Sequence, residues 1–240
     1  MDKLNVNTIE PEGGTTTINV GKAGKNVIIT DNLKANTLKD AGGNTIFTSN
    51  GSGVLSSVNS GFGSAQVLLS TQTASDSASL SFTSGIDSTY KEYVFEFINI
   101  NPATDSTDFR IEFSSNGGSS YGMTKTTTYF EAQHSEAGSS SLSYRTSEDL
   151  AQSTNPQILF RGLGSDTDES GCGELHLFNP SSTTYAKNFY ATLQEYMGGT
   201  PTSDNPYVAG YVNSTSAINA VQFTMASGNF DGKIKMYGIK

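Results

Sequence analysis

The sequence predicts an all-β protein on the basis of three observations. Thr, Val, Ile, Phe and Tyr, which favour strands, recur in short runs along the chain. Clusters of Gly, Ser and Asn separate these runs and are typical of turns. Leu, Ala, Glu and Lys are scarce at the spacing of an amphipathic helix. We therefore expect an extended or intertwined N-terminal β segment followed by a jelly-roll-like antiparallel β-sandwich.

The glycine-rich run Gly61-Phe62-Gly63-Ser64 predicts a boundary between two parts of the chain. Glycine runs are flexible and interrupt the apolar periodicity of strands. We therefore predict an N-terminal segment of residues 1–63 and a sandwich domain of residues 64–240.

Strand patterns are clearest in the predicted sandwich domain. Residues 109–113 alternate apolar with charged side chains, as a strand with one face in water does. Residues 93–97 place three aromatic side chains on one face, and aliphatic side chains follow on the other, which predicts a central strand buried on both sides. The aliphatic set is Val94, Ile98 and Ile100.

A repeat with an offset of 29 residues marks the N-terminal segment. Asn7-Thr8-Ile9 with Gly13-Gly14 recurs as Asn36-Thr37-Leu38 with Gly42-Gly43. Two copies are fewer than the roughly three that a repeat stack needs to bury a core. The apolar residues of this segment are therefore predicted to dock on other chains, as an intertwined β segment. They are Ile9, Ile18, Val27, Ile29, Leu38 and Phe47. A disordered linker and a strand-like arm on a partner are the alternatives.

Charge and cysteine content exclude several classes of function. The net charge of −9 opposes sequence-independent binding of nucleic acid, which needs Lys and Arg against phosphates. Cys172 is the only cysteine, so neither an intrachain disulfide nor a cysteine-rich metal site can form. We expect no membrane insertion, because no apolar run approaches the ~18 residues that span a bilayer. The N-terminus lacks the pattern of a secretory signal, which predicts synthesis in a cytoplasm.

Two sets of motifs resemble virion proteins of bacteriophages. Leu4-Asn5-Val6-Asn7-Thr8-Ile9 and 40–47 are similar to N-terminal segments of tail-fibre-like proteins, those of marine T7-like phages among them. Residues 84–90, 113–121 and 230–239 are similar to β-rich phage virion domains. The resemblance implies a homotrimeric virion component, made in the host cytoplasm. Its N-terminal segment would attach to another virion protein, of the tail, an adaptor or the capsid, and its C-terminal head would meet a glycan or protein of the host surface.

The leading hypothesis is therefore a tail fibre or tail-associated adhesin. A capsid decoration or cement protein is the alternative, and a carbohydrate-active enzyme is a third. We predict no enzyme activity, no catalytic residue, no cofactor and no metal site. A strand would place Cys172, Glu174 and His176 on one face, where a thiol, a carboxylate and an imidazole could in principle form a catalytic set. Neighbouring side chains on one strand face lie about 6.6 Å apart, which is too far for a nucleophile–base hydrogen bond. The acidic run 165–171 opens like a calcium loop but has Leu177 where the bidentate Glu belongs.

Tyrosines near predicted loops are the candidate ligand contacts, because a tyrosine offers a flat apolar face and a polar tip. Three of them flank a predicted long loop over 197–205, and two border another loop. The candidates are Tyr121, Tyr129, Tyr196, Tyr207 and Tyr211. The alternative is that these aromatic side chains fill the core of the sandwich.

Overall fold

The computed structural model describes residues 37–40, 42–52, 55–56, 58 and 65–240. The chain divides into two compact units, residues 1–63 and 64–240. The predicted hinge at 61–64 lies outside the described residues. So do four of the predicted docking residues, Ile9, Ile18, Val27 and Ile29. Within the described residues no helix is long and apolar enough to cross a bilayer.

The described part of the first unit is a small antiparallel sheet of three strands in the order β1-β2-β3. The strands are β1 Thr37–Lys39, β2 Thr45–Ser49 and β3 Leu55–Ser56. Leu38 and Phe47 are opposite each other across β1 and β2, and both are half-buried. The Asp40 carboxylate accepts hydrogen bonds from the backbone N–H groups of Gly42 (2.9 Å) and Asn44 (2.8 Å), which closes the turn. The second copy of the sequence repeat is thus a β-hairpin.

The second unit contains twelve strands, and every pairing between them is antiparallel. The strands are β4 Gln66–Ser77, β5 Ser79–Phe82, β6 Glu92–Pro102, β7 Thr107–Ser114, β8 Lys125–Ser135, β9 Ser140–Tyr144, β10 Gln157–Leu163, β11 Gly171–Phe178, β12 Lys187–Met197, β13 Thr202–Val212, β14 Ala220–Met225 and β15 Phe230–Ile239.

Eight of these strands form a jelly roll. The strands β4-β15-β6-β11 form one layer, which we call the front sheet, and the strands β5-β14-β7-β10 form the other, the back sheet. The two layers belong to one continuous sheet, because β12 pairs both with β11 and, at Met197 and Leu163, with β10. The chain crosses repeatedly between the two sheets, which is the wiring of two Greek keys. The predicted all-β class and jelly-roll-like antiparallel sandwich are therefore confirmed.

The other four strands widen the front sheet beyond β11. They continue it in the order β12-β13-β8-β9, and we call these four strands the extension. The hairpin β8-β9 is inserted between β7 and β10, and the hairpin β12-β13 between β11 and β14. The two hairpins are far apart in sequence, yet β8 and β13 pair along eleven consecutive positions.

Aromatic side chains fill the space between the two sheets. Phe97 of the front sheet lies 5.3 Å from Phe223 of the back sheet in an edge-to-face arrangement, and Phe109 stacks on Phe223 at 5.7 Å. Such a pair stabilises a core by about 0.5–1.5 kcal/mol beyond the area it buries. The alternation of 109–113 produces this arrangement, because it turns Phe109, Ile111 and Phe113 into the core.

The prediction that Ile100 shares a strand face with Val94 and Ile98 is wrong, because β6 contains a bulge. Ile100 is opposite Gly171 and Phe97 is opposite Gly173, so β6 carries one residue more than β11 between these pairs. Asn99 takes up the extra length with a φ of 50°, a backbone conformation that Asn tolerates better than most residues. The bulge turns Ile100 inward, where it is fully buried.

Candidate ligand-binding site

The outer face of the extension carries four exposed aromatic rings. Strand alternation directs Phe130 of β8, Tyr144 of β9, Tyr190 of β12 and Tyr211 of β13 away from the core. Each of these side chains is at least 36% exposed. Clusters of exposed apolar side chains on a protein surface are typical of binding sites.

A groove of about 440 Å³ lies on this face, across β12, β13 and β8, and we call it the Tyr190 groove. Its floor is low because Ala209 of β13 lies between Tyr190 of β12 and Thr128 of β8 in the sheet register. Every lining side chain is uncharged. The lining includes Thr126, Thr128, Phe178, Asn188, Tyr190, Ala209 and Tyr211.

Tyr190 forms the wall of the groove on the β12 side. His176 of β11 stacks on one face of its ring, with ring centroids 4.6 Å apart and planes 11° from parallel. Because His176 lies on the β11 side, the other face of the Tyr190 ring is directed over Ala209, into the groove. Tyr190 is 40% exposed, so this face is open to a ligand.

The stack behind Tyr190 is fixed by charged neighbours. The Nδ1 atom of His176 lies 2.6 Å from Oε1 of Glu92, and its Nε2 atom lies 3.3 Å from Oε1 of Glu174. Phe178 packs beside Tyr190 at 5.7 Å. Burial, with Glu92 and Glu174 nearby, raises the pKa of the Tyr190 hydroxyl above its ordinary value. This hydroxyl is therefore protonated at neutral pH and can donate a hydrogen bond to a ligand.

Polar contacts hold the opposite rim of the groove. The Nε2 group of Gln152 donates to Oγ1 of Thr126 at 2.7 Å and lies 3.5 Å from the Tyr211 hydroxyl. The Nδ2 group of Asn213 donates in turn to Oε1 of Gln152 at 2.7 Å. Thr126 and Tyr211 are thus tied to the segment between β9 and β10, so the rim is shaped before any ligand binds.

Two of the five predicted tyrosines belong to this surface. Tyr211 lines the groove, and Tyr207 stands on the same face of β13, four residues before it. Tyr196 lies about 20 Å along β12 from Tyr190, from the rise of a strand. Tyr121 is half-buried in the segment between β7 and β8.

Tyr129 is a core residue and not a surface contact. It is 0% exposed on the inner face of β8, and its hydroxyl lies 3.5 Å from the carbonyl oxygen of Leu159. The predicted long loop over 197–205 is also wrong. β12 runs to Met197 and β13 begins at Thr202, so a short turn joins them and Tyr207 and Tyr211 stand on a strand. Strand alternation, rather than loop position, brings them to the surface.

Sequence analysis did not assign Tyr190, His176 or Phe178 to a ligand-binding site. The signal for Tyr190 is the alternation of 189–193, in which Phe189, Ala191 and Leu193 are buried. The period places Tyr190 on the outer face, but nothing local indicates that Ala209 lies beside it or that His176 stacks behind it.

The arrangement of Cys172, Glu174 and His176 does not form a nucleophile–base pair. The three share a strand face, as expected, but Cys172 contacts Asn99, whose backbone N–H points to its Sγ atom at 3.4 Å. Oε1 of Glu174 lies 3.3 Å from Nε2 of His176, and this nitrogen makes no hydrogen bond among the described residues. In the described part of the chain, no three His, Cys, Asp or Glu side chains are placed to hold a metal ion.

No protein-family model, curated protein or solved structure matches this sequence. The fold and the site define a jelly-roll protein whose widened front sheet carries an open, uncharged aromatic groove.

Proposed function

We propose that this chain is a phage virion protein, a tail fibre or tail-associated adhesin, that binds a neutral glycan of the host surface in the Tyr190 groove. The observation that carries the proposal is the free face of Tyr190, set among hydroxyl and amide groups on an exposed sheet. The resemblance of the N-terminal and C-terminal motifs to virion proteins supports the virion part of the proposal.

A sugar ring fits the chemistry of this groove. One face of such a ring is lined by C–H groups and packs against an aromatic ring, while its hydroxyls point outward to hydrogen-bonding partners. Tyr190 offers the ring, and Thr128, Asn188 and Tyr211 offer the partners. A site made of apolar surface with a few placed polar groups is typical of small-molecule recognition.

Charge selects among glycans. The groove lining contains no cation that would pair with a sulfate or carboxylate, and Glu92 and Glu174, which contact His176 behind Tyr190, are both acids. The whole chain carries a net charge of −9. Anionic polysaccharides would be repelled at long range, so we assign the site to neutral sugars.

The N-terminal segment supplies the attachment in this proposal. Its repeat has too few apolar residues for a core of its own, so these residues are assigned to contacts with a virion partner or with other copies of the chain. Leu38 and Phe47, which face each other in the hairpin, belong to this set. In a homotrimer three weak glycan sites would act together, and avidity would exceed the affinity of a single groove.

The test is binding of the full chain to an array of neutral oligosaccharides and to host cells. We expect Tyr190→Ala to weaken binding at least about tenfold, which corresponds to about 1.4 kcal/mol. Leu68→Ala is the matched control, because Leu68 is 53% exposed on β4, at the opposite edge of the front sheet. Equal binding by the wild-type protein and a correctly folded Tyr190→Ala variant would contradict the proposal.

A further inference from the structure

The exposed rings on the extension continue past the Tyr190 groove. Phe130 of β8 and Tyr207 of β13 are the next outward-facing pair along the strands after Thr128 and Ala209. Their rings stack with centroids 4.9 Å apart and planes 8° from parallel. Tyr144 of β9 is opposite Phe130 in the sheet and is 53% exposed.

We propose that the groove and this second aromatic group form one track for an extended neutral polysaccharide, bound through internal sugar units rather than through a single terminal sugar. The inference rests on the proposed function, because it assigns a ligand class to the same surface. We call Phe130, Tyr144 and Tyr207 the second platform.

The length of the track follows from the strand geometry. Tyr211, Ala209 and Tyr207 share the outer face of β13, and four residues separate the first from the last. At about 3.3 Å per residue, the track from Tyr211 to Tyr207 is about 13 Å long. That length exceeds one sugar ring, so a ligand touching both ends must be a chain.

The aromatic rings of the track alternate with small or hydroxyl-bearing positions. Ala209 and Thr128 lie between the groove rim and the second platform, and neither carries a charge. A stacked cross-strand pair by itself stabilises a sheet only modestly. Phe130 nevertheless remains 41% exposed, beside the exposed Tyr144, and the stacking of the pair does not explain this exposure. A ligand that covers these rings explains it.

Charge also disfavours a second copy of this chain as the occupant. Glu92 and Glu174 lie at one end of the surface, and Asp149, which accepts a hydrogen bond from the Tyr144 hydroxyl at 2.6 Å, lies at the other. An isologous contact presents the same patch on both partners. Such a contact would bring the carboxylates of the two copies close together and would add no cations to balance them. A neutral polysaccharide brings no carboxylate to this surface.

The experiment measures affinity against chain length with the full protein. The probes are neutral oligosaccharides of glucose, galactose, mannose and N-acetylglucosamine, each with two and with six sugar units. We expect six-unit chains of a recognised sugar to bind at least about tenfold more tightly than two-unit chains, because the second platform is engaged at high effective concentration. Phe130→Ala should reduce this ratio to about one, whereas Tyr190→Ala should weaken binding of both lengths.

The outcomes separate the two proposals. Equal affinity for the two lengths, or an unchanged ratio in Phe130→Ala, overturns the track and leaves the Tyr190 groove standing. Failure of the wild-type protein to bind any probe overturns the proposed glycan function. Leu68→Ala serves again as the control, and circular dichroism with thermal unfolding verifies that each variant is folded. Should Phe130→Ala fail to fold, Tyr144→Ala tests the same platform from the edge strand β9.

Discussion

Three carboxylic acids occupy the inner face of the extension, where other parts of the sandwich have aromatic rings. Glu131, Glu195 and Asp204 are each 0% exposed. Arg161 and Arg145 both form ion pairs with Glu131, and the Arg161 backbone N–H donates to Oε1 of Glu195 at 2.8 Å. Neither carboxylate oxygen of Asp204 has a hydrogen-bond donor among the described residues.

Asp204 makes the stability of the fold dependent on pH. Burial, with Glu131 next to it, raises the pKa of Asp204 from an ordinary 3.8 to about 7. The folded protein therefore binds more protons than the unfolded chain between these values. The contribution of Asp204 to stability is fully present below pH 3.8 and is lost as the pH rises through about 7. Burial raises the pKa of Glu195 as well, which acts in the same direction.

We expect Asp204→Asn to remove most of this dependence. An amide is neutral at every pH and can donate to Glu131, so the variant should be more stable than wild type at pH 8 by about 1–3 kcal/mol and little changed at pH 5. Denaturant unfolding at the two pH values measures this. Asp168→Asn, in an exposed turn, is the control and should change neither value. A wild-type stability that rises from pH 5 to pH 8 in parallel with the Asn variant would refute this account.

Two buried lysines should respond in opposite ways to the same substitution. Lys125 pairs with Glu112 at 3.1 Å, and burial lowers the pKa of Lys125 while this carboxylate opposes the shift. Lys187 is equally buried, but its Nζ atom donates only to the carbonyl oxygen of Ser214, at 3.1 Å, among the described residues. Burial lowers the pKa of Lys187 without a carboxylate to oppose it.

Lys125→Met should destabilise the protein by about 3–5 kcal/mol, because it leaves Glu112 buried and unpaired. Lys187→Met should be neutral or stabilise it by about 1 kcal/mol, because a solitary charge is replaced by a side chain of similar length. Thermal unfolding of the two variants provides the comparison, and each serves as the control for the other. Similar losses in both would show that packing, and not charge, decides the outcome.

At the scale of elements, the groove depends on how closely β13 approaches β8. Gly210 makes this approach possible, since a Cβ atom there would lie 2.5 Å from the carbonyl oxygen of Thr126 and 2.6 Å from Cγ2 of Thr127. The contact is with backbone as well as side chain, so the strands themselves would have to move apart. Because Thr126 forms the rim of the groove, its position depends on this glycine.

Gly210→Ala should therefore cost about 1–3 kcal/mol of stability through overpacking and should also weaken glycan binding. Chemical denaturation and the oligosaccharide array give the two readouts. Ala132→Ser, an exposed site on the outer face of β8, is the control and should alter stability by less than about 0.5 kcal/mol. A Gly210→Ala variant of wild-type stability would mean that the two strands can separate at no cost.

At the scale of the whole molecule, the proposal requires an assembly. The apolar residues of the N-terminal segment are assigned to partners beyond a single chain in this proposal, and polyvalent display would compensate for a shallow glycan site. The net charge of −9 keeps such an assembly soluble while leaving binding to neutral ligands unaffected.

We expect the full chain to have three times the mass of one chain by light scattering. Replacing Leu38 and Phe47 with Ser should lower this mass, because both belong to the predicted trimer or docking set. A monomeric wild type whose N-terminal segment is cleaved readily by proteases would exclude the trimer and leave an arm that docks on a virion partner. Labelled antibody on purified particles should mark the tail, whereas label over the capsid would favour the decoration protein.

Local patterns in the sequence predicted most of the fold. Alternation of side chains, turn residues and the lack of helical spacing predicted an all-β sandwich, because each of these signals depends on a few neighbouring residues. Two of the errors arose where the backbone departed from the expected geometry. Asn99 and its bulge reversed the expected direction of Ile100, and the short turn after Met197 replaced a predicted loop with a strand.

The candidate site could be predicted only in part, for a physical reason. The sequence by itself identified Tyr207 and Tyr211 as surface candidates, although beside a loop rather than on a strand, and it determined that the chain carries few charges. Only the tertiary structure decided that β12 and β13, from one insertion, lie beside β8, from another. The groove exists because Tyr190, Ala209 and Thr128 are neighbours across three strands, and pairing between distant segments is set by the packing of the whole sandwich rather than by any local pattern.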